Sequence, residues 1–322
     1  MVRTLAGVDP RHRRSAARPT VLVLVVAVFA GILTGCVRAA AIDGNPDGRL
    51  QVVATTPVVA DFVRQIGADR VSVTELLRPN VDPHDYEPSP ADLVALHRAA
   101  VVVANGAGLE SWLMPTIANS GFDGLLVDAS RGVNLRRPDG QTDPHIWHDP
   151  TNAAIMCRDI AAGLSEKDPV GRAGYQANLA AYLGRLHQLD TEERARIEQI
   201  PPQARRLVTN HDAFGYYARH FGFTVESVLP SFDTSAELSG RDIERVVRQI
   251  RRTGARAVFS ESSLPPRIAR TIGAEAGVRV VAGDGSLYAD SLGPKGSPAA
   301  NYLDMERHNT EVIVAALSGE SS

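Results

Sequence analysis

Short apolar runs alternate with helix-like segments along most of the chain. The first four runs are LQVVAT, VSVTELL, AVVVAN and LLVDA, and a second set from Arg206 comprises RRLVTN, FTVESVL, ARAVFS and VRVVA. These runs have the length of buried strands. Apolar residues at helical spacing between them predict helices over about 57–66, 90–97, 109–118, 213–221, 241–252 and 298–317, with one more after Pro265-Pro266. Strands that alternate with helices predict mainly parallel sheets flanked by helices, so we expect an α/β protein.

A long helical pattern lies between the two sets. It covers about 169–200 and stops at Pro201-Pro202, as helices do before proline. At 1.5 Å per residue, roughly thirty residues form a rigid rod of about 45 Å, long enough to join two lobes. We therefore predict an N-terminal lobe over 49–165, a linking helix over 166–200 and a C-terminal lobe over 201–322. Ligands of open α/β sheets bind at the carboxyl ends of strands, so we expect the site in the cleft between the lobes.

The N-terminus has the order of a secretory signal. A basic region up to Arg18 is followed by an apolar run over 21–33, which is too short for a spanning helix of about 20 residues. The tetrapeptide LTGC then resembles a bacterial lipobox, in which the Cys is lipidated and becomes the new N-terminus. We predict a signal peptide over 1–35, a lipidated Cys36 and a flexible tether over 36–48. An ordinary signal peptide or an N-terminal anchor with a chance Cys is the alternative.

The charge balance gives no reason to expect a nucleic-acid partner. The chain has 34 basic and 37 acidic residues, a net charge of −3. Residues 1–35 hold five Arg and one Asp, so the rest has 29 basic and 36 acidic residues, a net charge of −7. A mildly acidic body does not suit a polyanion.

Cysteine usage excludes a disulfide framework. The chain has two Cys, and once Cys36 is lipidated, Cys157 has no partner for an intrachain disulfide. Cys157 follows Ile155 and Met156 in a helical pattern, so we predict that it is a small buried residue.

Four loop segments hold the residues suited to chemistry, and each follows a predicted strand. They contain His84 in DPHDYEP, His145 and His148 in DPHIWHDP, His211 in TNHDAF, and Asp290 in YADSLG. Three imidazoles and a carboxylate suit a divalent transition metal, with zinc first. In both DPH tripeptides the proline restrains the backbone beside the His, so less ordering is needed when a metal binds.

Spacing alone leaves several assignments open. His148 lies three residues after His145 and is either an alternative ligand or a cleft-lining residue that supports one. Asp284 competes with Asp290, because both follow the last predicted strand. Glu261, at the end of ARAVFSE, is either a partner that orients a ligating imidazole or a polar residue at a strand end. The remaining histidines of the body fall on helical patterns, where we expect surface or packing roles: His97, His187, His220 and His308.

Taken together, these segments resemble the metal-binding solute-binding proteins of bacterial ABC importers for zinc and manganese. The resemblance extends from about Gln51 to the C-terminus and is carried by PHDYEPSPADL, DPHIWHDP, LVTNHDAFGYYARHFG, LYADSLG and NYLDMERHNTEVI. It implies two lobes linked by one long helix, with the metal buried between them. Carried over position by position, it implies that the ligands are His84, His145, His211 and Asp290. It also implies a zinc preference, since a His stands at the third position where manganese-preferring relatives often have Glu.

Two departures from the family pattern change the expectations. The segment NLRRPDGQT before the second DPH carries no His, so we expect no His-rich metal-collecting loop. Some relatives have a disulfide in the second lobe, which this chain cannot form.

The resulting hypothesis is extracytoplasmic capture of a divalent metal, Zn(II) first and Mn(II) as the alternative, with delivery to an ABC permease. The protein is then lipid-anchored at the cell membrane, and we expect a monomer and no enzyme. Four protein ligands fill the usual coordination of zinc and leave no position for a reacting water.

Other function classes fit the sequence less well. A secreted metallohydrolase with Glu87 or Glu261 as general base is disfavoured, because HExxH and GxSxG are both absent. A binding protein for an organic or chelated ligand is disfavoured because aromatic residues make up 5% of the chain, while the loops are rich in His and Asp. An adhesin-like role is compatible with the resemblance, but no residue demands it.

Overall fold

Strands and helices alternate in the computed structural model, which describes residues 48–227, 234 and 239–319. These residues belong to a compact unit that covers Asn45–Ser322. The predicted signal peptide over 1–35, the lipidated Cys36 and the tether up to residue 47 lie outside the described residues.

The first lobe is built on a four-stranded parallel sheet. Its strands are β1 (Leu50–Ala54), β2 (Val71–Glu75), β3 (Val101–Ala104) and β4 (Leu125–Asp128), in the order β2-β1-β3-β4. The helices that connect them are α1 (Pro57–Gly67), α2 (Pro90–Arg98) and α3 (Leu113–Ser120). Because the strand order reverses between β1 and β3, a crevice opens at the carboxyl ends of these two strands.

The second lobe has two pairs of parallel strands. Strand β5 (Arg206–Thr209) pairs with β6 (Thr224–Ser227), and β7 (Ala257–Phe259) pairs with β8 (Arg279–Val281). The helices of this lobe are α6 (Gly215–Phe221), α7 (Gly240–Thr253), α8 (Arg267–Ala276) and α9 (Tyr302–Leu317). Each lobe has its own apolar cluster, around Val53 and Val102 in the first and around Leu207 and Phe259 in the second. The expected α/β class with two lobes of parallel strands is confirmed.

Two long helices lie between the lobes along the chain. Helix α4 covers Pro150–Lys167 and buries Cys157, whose thiol is free. Helix α5 covers Arg172–Ile197, 26 residues, which corresponds to about 39 Å. It packs against α4, against α1 of the first lobe and against α9 of the second. The long helix therefore lies inside the predicted segment 169–200, while the lobe boundaries at 49–165, 166–200 and 201–322 stay a prediction.

Helix α3 begins four residues later than the pattern from Leu109 predicts. Gly106, Ala107 and Gly108 all have positive φ angles, so the chain turns there instead of entering a helix. The carboxylate of Glu110 stabilises this turn by accepting the backbone N–H groups of Asn105 and Gly106.

Helix α9 likewise begins later than the predicted start near 298. Asn301 caps it at Tyr302 by accepting the N–H of Asp304. In the part of the chain that is described, none of the helices combines the length and the apolar character needed to cross a lipid bilayer.

Candidate metal centre

Four side chains from four separate loops converge at the interface of the two lobes. His84 follows β2, His145 precedes α4, His211 lies two residues beyond β5, and Asp290 follows β8. Each offers one ligand atom, and these atoms lie within 4.8 Å of one another. The structure thus brings together the four residues implied as ligands by the family resemblance.

The spacing of the donor atoms fits one metal ion. Nε2 of His145 lies 3.1 Å from Nε2 of His84, 3.2 Å from Nε2 of His211 and 3.4 Å from Oδ1 of Asp290. The same Oδ1 lies 3.2 Å from Nε2 of His211 and 3.9 Å from Nε2 of His84. Ligands at 2.0–2.1 Å from zinc in a tetrahedron are separated by about 3.3–3.4 Å. The observed separations bracket this value.

The protonation pattern of the imidazoles leaves lone pairs facing one point. Nδ1 of His145 lies against Asp143, and Nδ1 of His211 lies against Glu261, so in each neutral ring the proton sits on Nδ1. The Nε2 atoms then present lone pairs to each other and to the buried Oδ1 of Asp290, which has no hydrogen-bond partner. Such an arrangement of acceptors is unfavourable unless a cation or a proton lies between them.

The pKa shifts of His145, His211 and Asp290 also indicate that positive charge is favoured at this site. Burial opposes the charged form of His145 and of His211, but the neighbouring carboxylates outweigh it and raise the pKa of both groups above 6.5, that of His211 strongly. Burial acts to raise the pKa of Asp290, but the charge of His211 and the contacts with the three imidazoles hold it well below its usual range. The site is therefore an anionic cluster that attracts a cation, and protons compete with a metal ion for the same donor atoms.

Two carboxylates orient the deeper imidazoles. Oδ1 of Asp143 lies 2.9 Å from Nδ1 of His145 and accepts the N–H of the same residue at 3.0 Å, while Oδ2 bonds to Arg136. Glu261 contacts both the ring and the backbone of His211. A carboxylate on the far nitrogen of a histidine fixes the ring and raises its basicity towards a metal. The sequence pattern pointed to Glu261 but gave no role to Asp143. The signal was that both DPH tripeptides begin with an Asp two residues before the His, Asp82 before His84 and Asp143 before His145.

The DPH loop is fixed at the crevice of the first sheet. Asn105, directly after β3, donates from Nδ2 to the carbonyl oxygen of Pro144 at 3.0 Å. Its own N–H is bonded to Glu110, which also accepts the hydroxyl of Thr55 after β1. The topology of the sheet thus explains why His145 projects into the cleft.

His84 is supported differently. Its ring is 9% exposed, whereas the side chains of His145, His211 and Asp290 are fully buried. Its loop is held by a hydrogen bond of 3.0 Å from Nε1 of Trp112 to the carbonyl of Pro83. The loop also contacts the second lobe, where the N–H of Asn80 donates to Ser291 at 2.9 Å.

The other candidates lie outside the cluster of four. Asp284 is exposed in the turn Gly283–Gly285. His148 is buried, but its ring nitrogens face Glu306 and the carbonyl of Ala289. The helical histidines are spread over the molecule: His97 and His187 are exposed, His220 bonds to Asp149 and Asp190, and His308 bonds to the carbonyl of Ser286.

Comparisons with known proteins agree with this architecture. The family model described as "Zinc-uptake complex component A periplasmic" matches residues 52–316. The manganese-binding lipoprotein MntA of Bacillus subtilis (strain 168) is 33% identical over 301 residues, 91% of this chain and 97% of that protein. The manganese ABC transporter substrate-binding lipoprotein PsaA of Streptococcus pneumoniae is 28% identical over 313 residues, covering 93% and 98%. Among solved structures, the periplasmic zinc-binding protein TroA of Treponema pallidum superposes with a TM-score of 0.78 at 29% identity, covering 84% of this chain and 99% of that chain.

Proposed function

We propose a function for this chain from the family to which it belongs, that of the periplasmic component A of zinc-uptake complexes. Members of this family are substrate-binding proteins of metal ABC transporters and not enzymes. In this proposal the chain captures one divalent transition metal with His84, His145, His211 and Asp290. The observation that carries the proposal is the convergence of three Nε2 atoms and one buried, unpartnered carboxylate oxygen. The captured ion is the transported substrate. Release to the permease then requires a movement that withdraws at least one of the four ligands.

Zinc is the first candidate for the ion. Oδ2 of Asp290 accepts a hydrogen bond of 3.2 Å from the hydroxyl of Ser263, which leaves Oδ1 alone to face the cluster. A carboxylate held in this way binds a metal through one oxygen. Three imidazoles and one oxygen then give the four-coordinate set that zinc takes in closed protein sites.

Manganese is the second candidate, and the relatives support it at least as well. The proteins from B. subtilis and S. pneumoniae are both named for manganese, whereas the T. pallidum protein is named for zinc. Zinc binds more tightly than manganese in almost any site of this kind, so metal availability also decides which ion is carried.

A competition titration tests both candidates. The metal-depleted full-length protein is titrated with Zn(II) and Mn(II) against a chelator, beside Ser263→Ala and the matched Ser262→Ala, whose hydroxyl has no hydrogen-bond partner. We expect the wild type to bind zinc more tightly than manganese. Of the two variants, only Ser263→Ala is expected to reduce this difference in affinity, because a freed Oδ2 of Asp290 supplies the extra oxygen ligand that manganese favours. Tighter binding of manganese by the wild type would contradict the zinc assignment.

The proposed permease partner and the proposed location of the protein also rest on its family. Relatives named as ABC transporter lipoproteins support a permease partner and a lipid anchor, which in this chain falls on Cys36. We propose a monomer that is tethered at the extracytoplasmic face of the cell membrane. Mass spectrometry of the mature N-terminus is expected to find an acylated Cys36, and an unmodified terminus or retention of residues 1–35 would refute the anchor.

A further inference from the structure

His148 is buried between two acceptors that belong to the second lobe. Its Nδ1 lies 2.8 Å from Oε1 of Glu306, and its Nε2 lies 2.8 Å from the carbonyl oxygen of Ala289. Both partners accept hydrogen bonds, so both contacts form when the ring carries two protons and a positive charge. The ring also stacks on Phe214 at a centroid distance of 4.5 Å, which fixes its plane.

These contacts connect the two loops that present His145 and Asp290. His148 ends the short turn Ile146–His148, three residues after His145. Ala289 directly precedes Asp290, and its carbonyl also accepts a hydrogen bond of 3.2 Å from Nε1 of Trp147. Two consecutive side chains of one loop thus hold the backbone of the other loop next to the carboxylate.

We propose that His148 is a positioning residue, which together with Glu306 locks the Asp290 loop of the second lobe against the His145 loop of the first. Neither side chain belongs to the cluster of four donors, so the lock acts on metal affinity through the position of Asp290. Its effect on the metal rests on the proposed function, whereas its effect on the Asp290 loop does not.

The surroundings of Glu306 are consistent with one buried ion pair. Glu193 of α5 is also buried nearby, and its Oε1 accepts the hydroxyl of Thr310 at 2.9 Å. Burial and then the charge of Glu306 raise the pKa of Glu193 well above its usual range, which favours the protonated form of Glu193. Of these two carboxyl groups, Glu306 is the one that lies within hydrogen-bond distance of the His148 ring, at 2.8 Å from Nδ1.

The chemistry of a buried ion pair allows positioning to be separated from stability. Removal of one partner leaves the other charge buried and unpaired, which is strongly destabilising. Replacement of both partners by apolar side chains of similar volume is often neutral. A double variant is therefore expected to regain stability while it still lacks the hydrogen bond from His148 to Ala289.

The experiment compares His148→Leu, Glu306→Met and the double variant with the wild-type full-length protein. Tyr217→Phe is the matched control. It removes a buried hydrogen bond of 3.0 Å to Thr310, which lies on α9 as Glu306 does, and it leaves the Asp290 loop untouched. Three quantities are measured: the midpoint of chemical unfolding, the Kd for Zn(II) from chelator competition, and amide hydrogen exchange of residues 288–291 in the metal-free protein.

We expect both single variants to lose stability and zinc affinity. The double variant is expected to regain most of the stability but to bind zinc roughly tenfold more weakly than the wild type, with faster exchange at 288–291. Tyr217→Phe is expected to lower stability without either of these changes. Wild-type exchange and zinc affinity in the double variant would overturn the positioning role. If the wild type itself bound no metal, the proposed function would fail. Amide hydrogen exchange at residues 288–291 would still test whether His148 and Glu306 hold the Asp290 loop in place.

Discussion

Oε2 of Glu261 lies 2.6 Å from Nδ1 of His211, and Oε1 of the same carboxylate accepts the backbone N–H of His211 at 3.1 Å. His211 lies two residues beyond the end of β5, and Glu261 lies two residues beyond the end of the adjacent β7. Strands β5 and β7 belong to different strand pairs but pack against each other, which brings the residues beyond their carboxyl ends together. One buried carboxylate thereby fixes both the ring and the backbone of a proposed metal ligand.

Glu261→Gln is expected to weaken metal binding roughly 10- to 100-fold, because the amide supplies less negative charge to the imidazole and fixes its tautomer less firmly. The Kd for Zn(II) from chelator competition measures the effect. Glu275→Gln, at an exposed position on α8, is the matched control and is expected to bind as the wild type does. Equal affinities of the two variants would contradict the orienting role of Glu261.

Metal affinity is expected to fall as the pH is lowered, and to begin falling above pH 6.5. His145 and His211 must present unprotonated Nε2 atoms to the metal, and the pKa of each is raised above 6.5 by the carboxylates that outweigh burial. Protons therefore compete with the metal at a higher pH than they would at ordinary histidines. Zinc titrations between pH 8 and pH 5.5 measure this dependence, and a Kd that stays constant down to pH 6 would be inconsistent with it.

His220 is expected to stabilise the fold in a pH-dependent way. Its Nδ1 lies 3.2 Å from Asp149. Its Nε2 lies 2.6 Å from Asp190 and also 2.6 Å from Nη2 of Arg194, which itself pairs with Asp190. Burial opposes the charged ring, but the two carboxylates outweigh it and raise the pKa of His220. A raised pKa in the folded state gives a contribution that is complete below about pH 6.5 and is lost as the pH rises through the folded-state value.

His220→Gln should therefore lower the free energy of unfolding by about 1–2 kcal/mol at pH 6 and by less at pH 9. Urea unfolding at both pH values measures the difference. His187→Gln, at an exposed position on α5, is expected to change neither value. A loss of the same size at pH 6 and pH 9 in His220→Gln would show that the charge of the ring is not responsible.

Gly215→Ala is expected to weaken metal binding from a distance. A Cβ at Gly215 would overlap the guanidinium of Arg136, which bonds to Asp143 behind His145. Displacement of Arg136 leaves the buried carboxylate of Asp143 without its cation, so both stability and zinc affinity should fall. Gly184→Ala on α5 is the matched control, because a Cβ there meets open space and a helical Gly→Ala change stabilises by about 0.5–1 kcal/mol. Unchanged zinc affinity in Gly215→Ala would show that Arg136 does not influence metal binding through Asp143 and His145.

Local patterns predicted much of the fold because the strands are short apolar runs. Leu50–Ala54 and Val101–Ala104 both fall inside runs that read as strands, and the helix Arg172–Ile197 falls inside its predicted segment. Helix starts were less predictable. The turn before Leu113 depends on the side chain of Glu110, and such a contact leaves no trace in hydrophobic periodicity.

The candidate ligands were also visible in the sequence, whereas most of their supports were not. His84 and His145 stand in Pro-bounded DPH tripeptides, and His211 and Asp290 stand in the segments TNHDAF and YADSLG, which carry the family resemblance. The partner of His148 is Glu306, which is 158 residues away on a helix, and nothing in the segment NYLDMERHNTEVI around Glu306 points to His148. Pairings of this kind are set by the packing of the two lobes, so no local pattern indicates them.

The central claim is a single metal site made by His84, His145, His211 and Asp290, and the most direct test is the metal stoichiometry of the purified protein. Elemental analysis and competitive titration with Zn(II) and Mn(II) are applied to the wild type, His145→Ala and Asp290→Ala, with His97→Ala as an exposed control. We predict one tightly bound metal per chain in the wild type and the control, and its loss or strong weakening in the other two variants. A wild type without tightly bound metal, or His145→Ala and Asp290→Ala proteins that bind as the wild type does, would contradict the account.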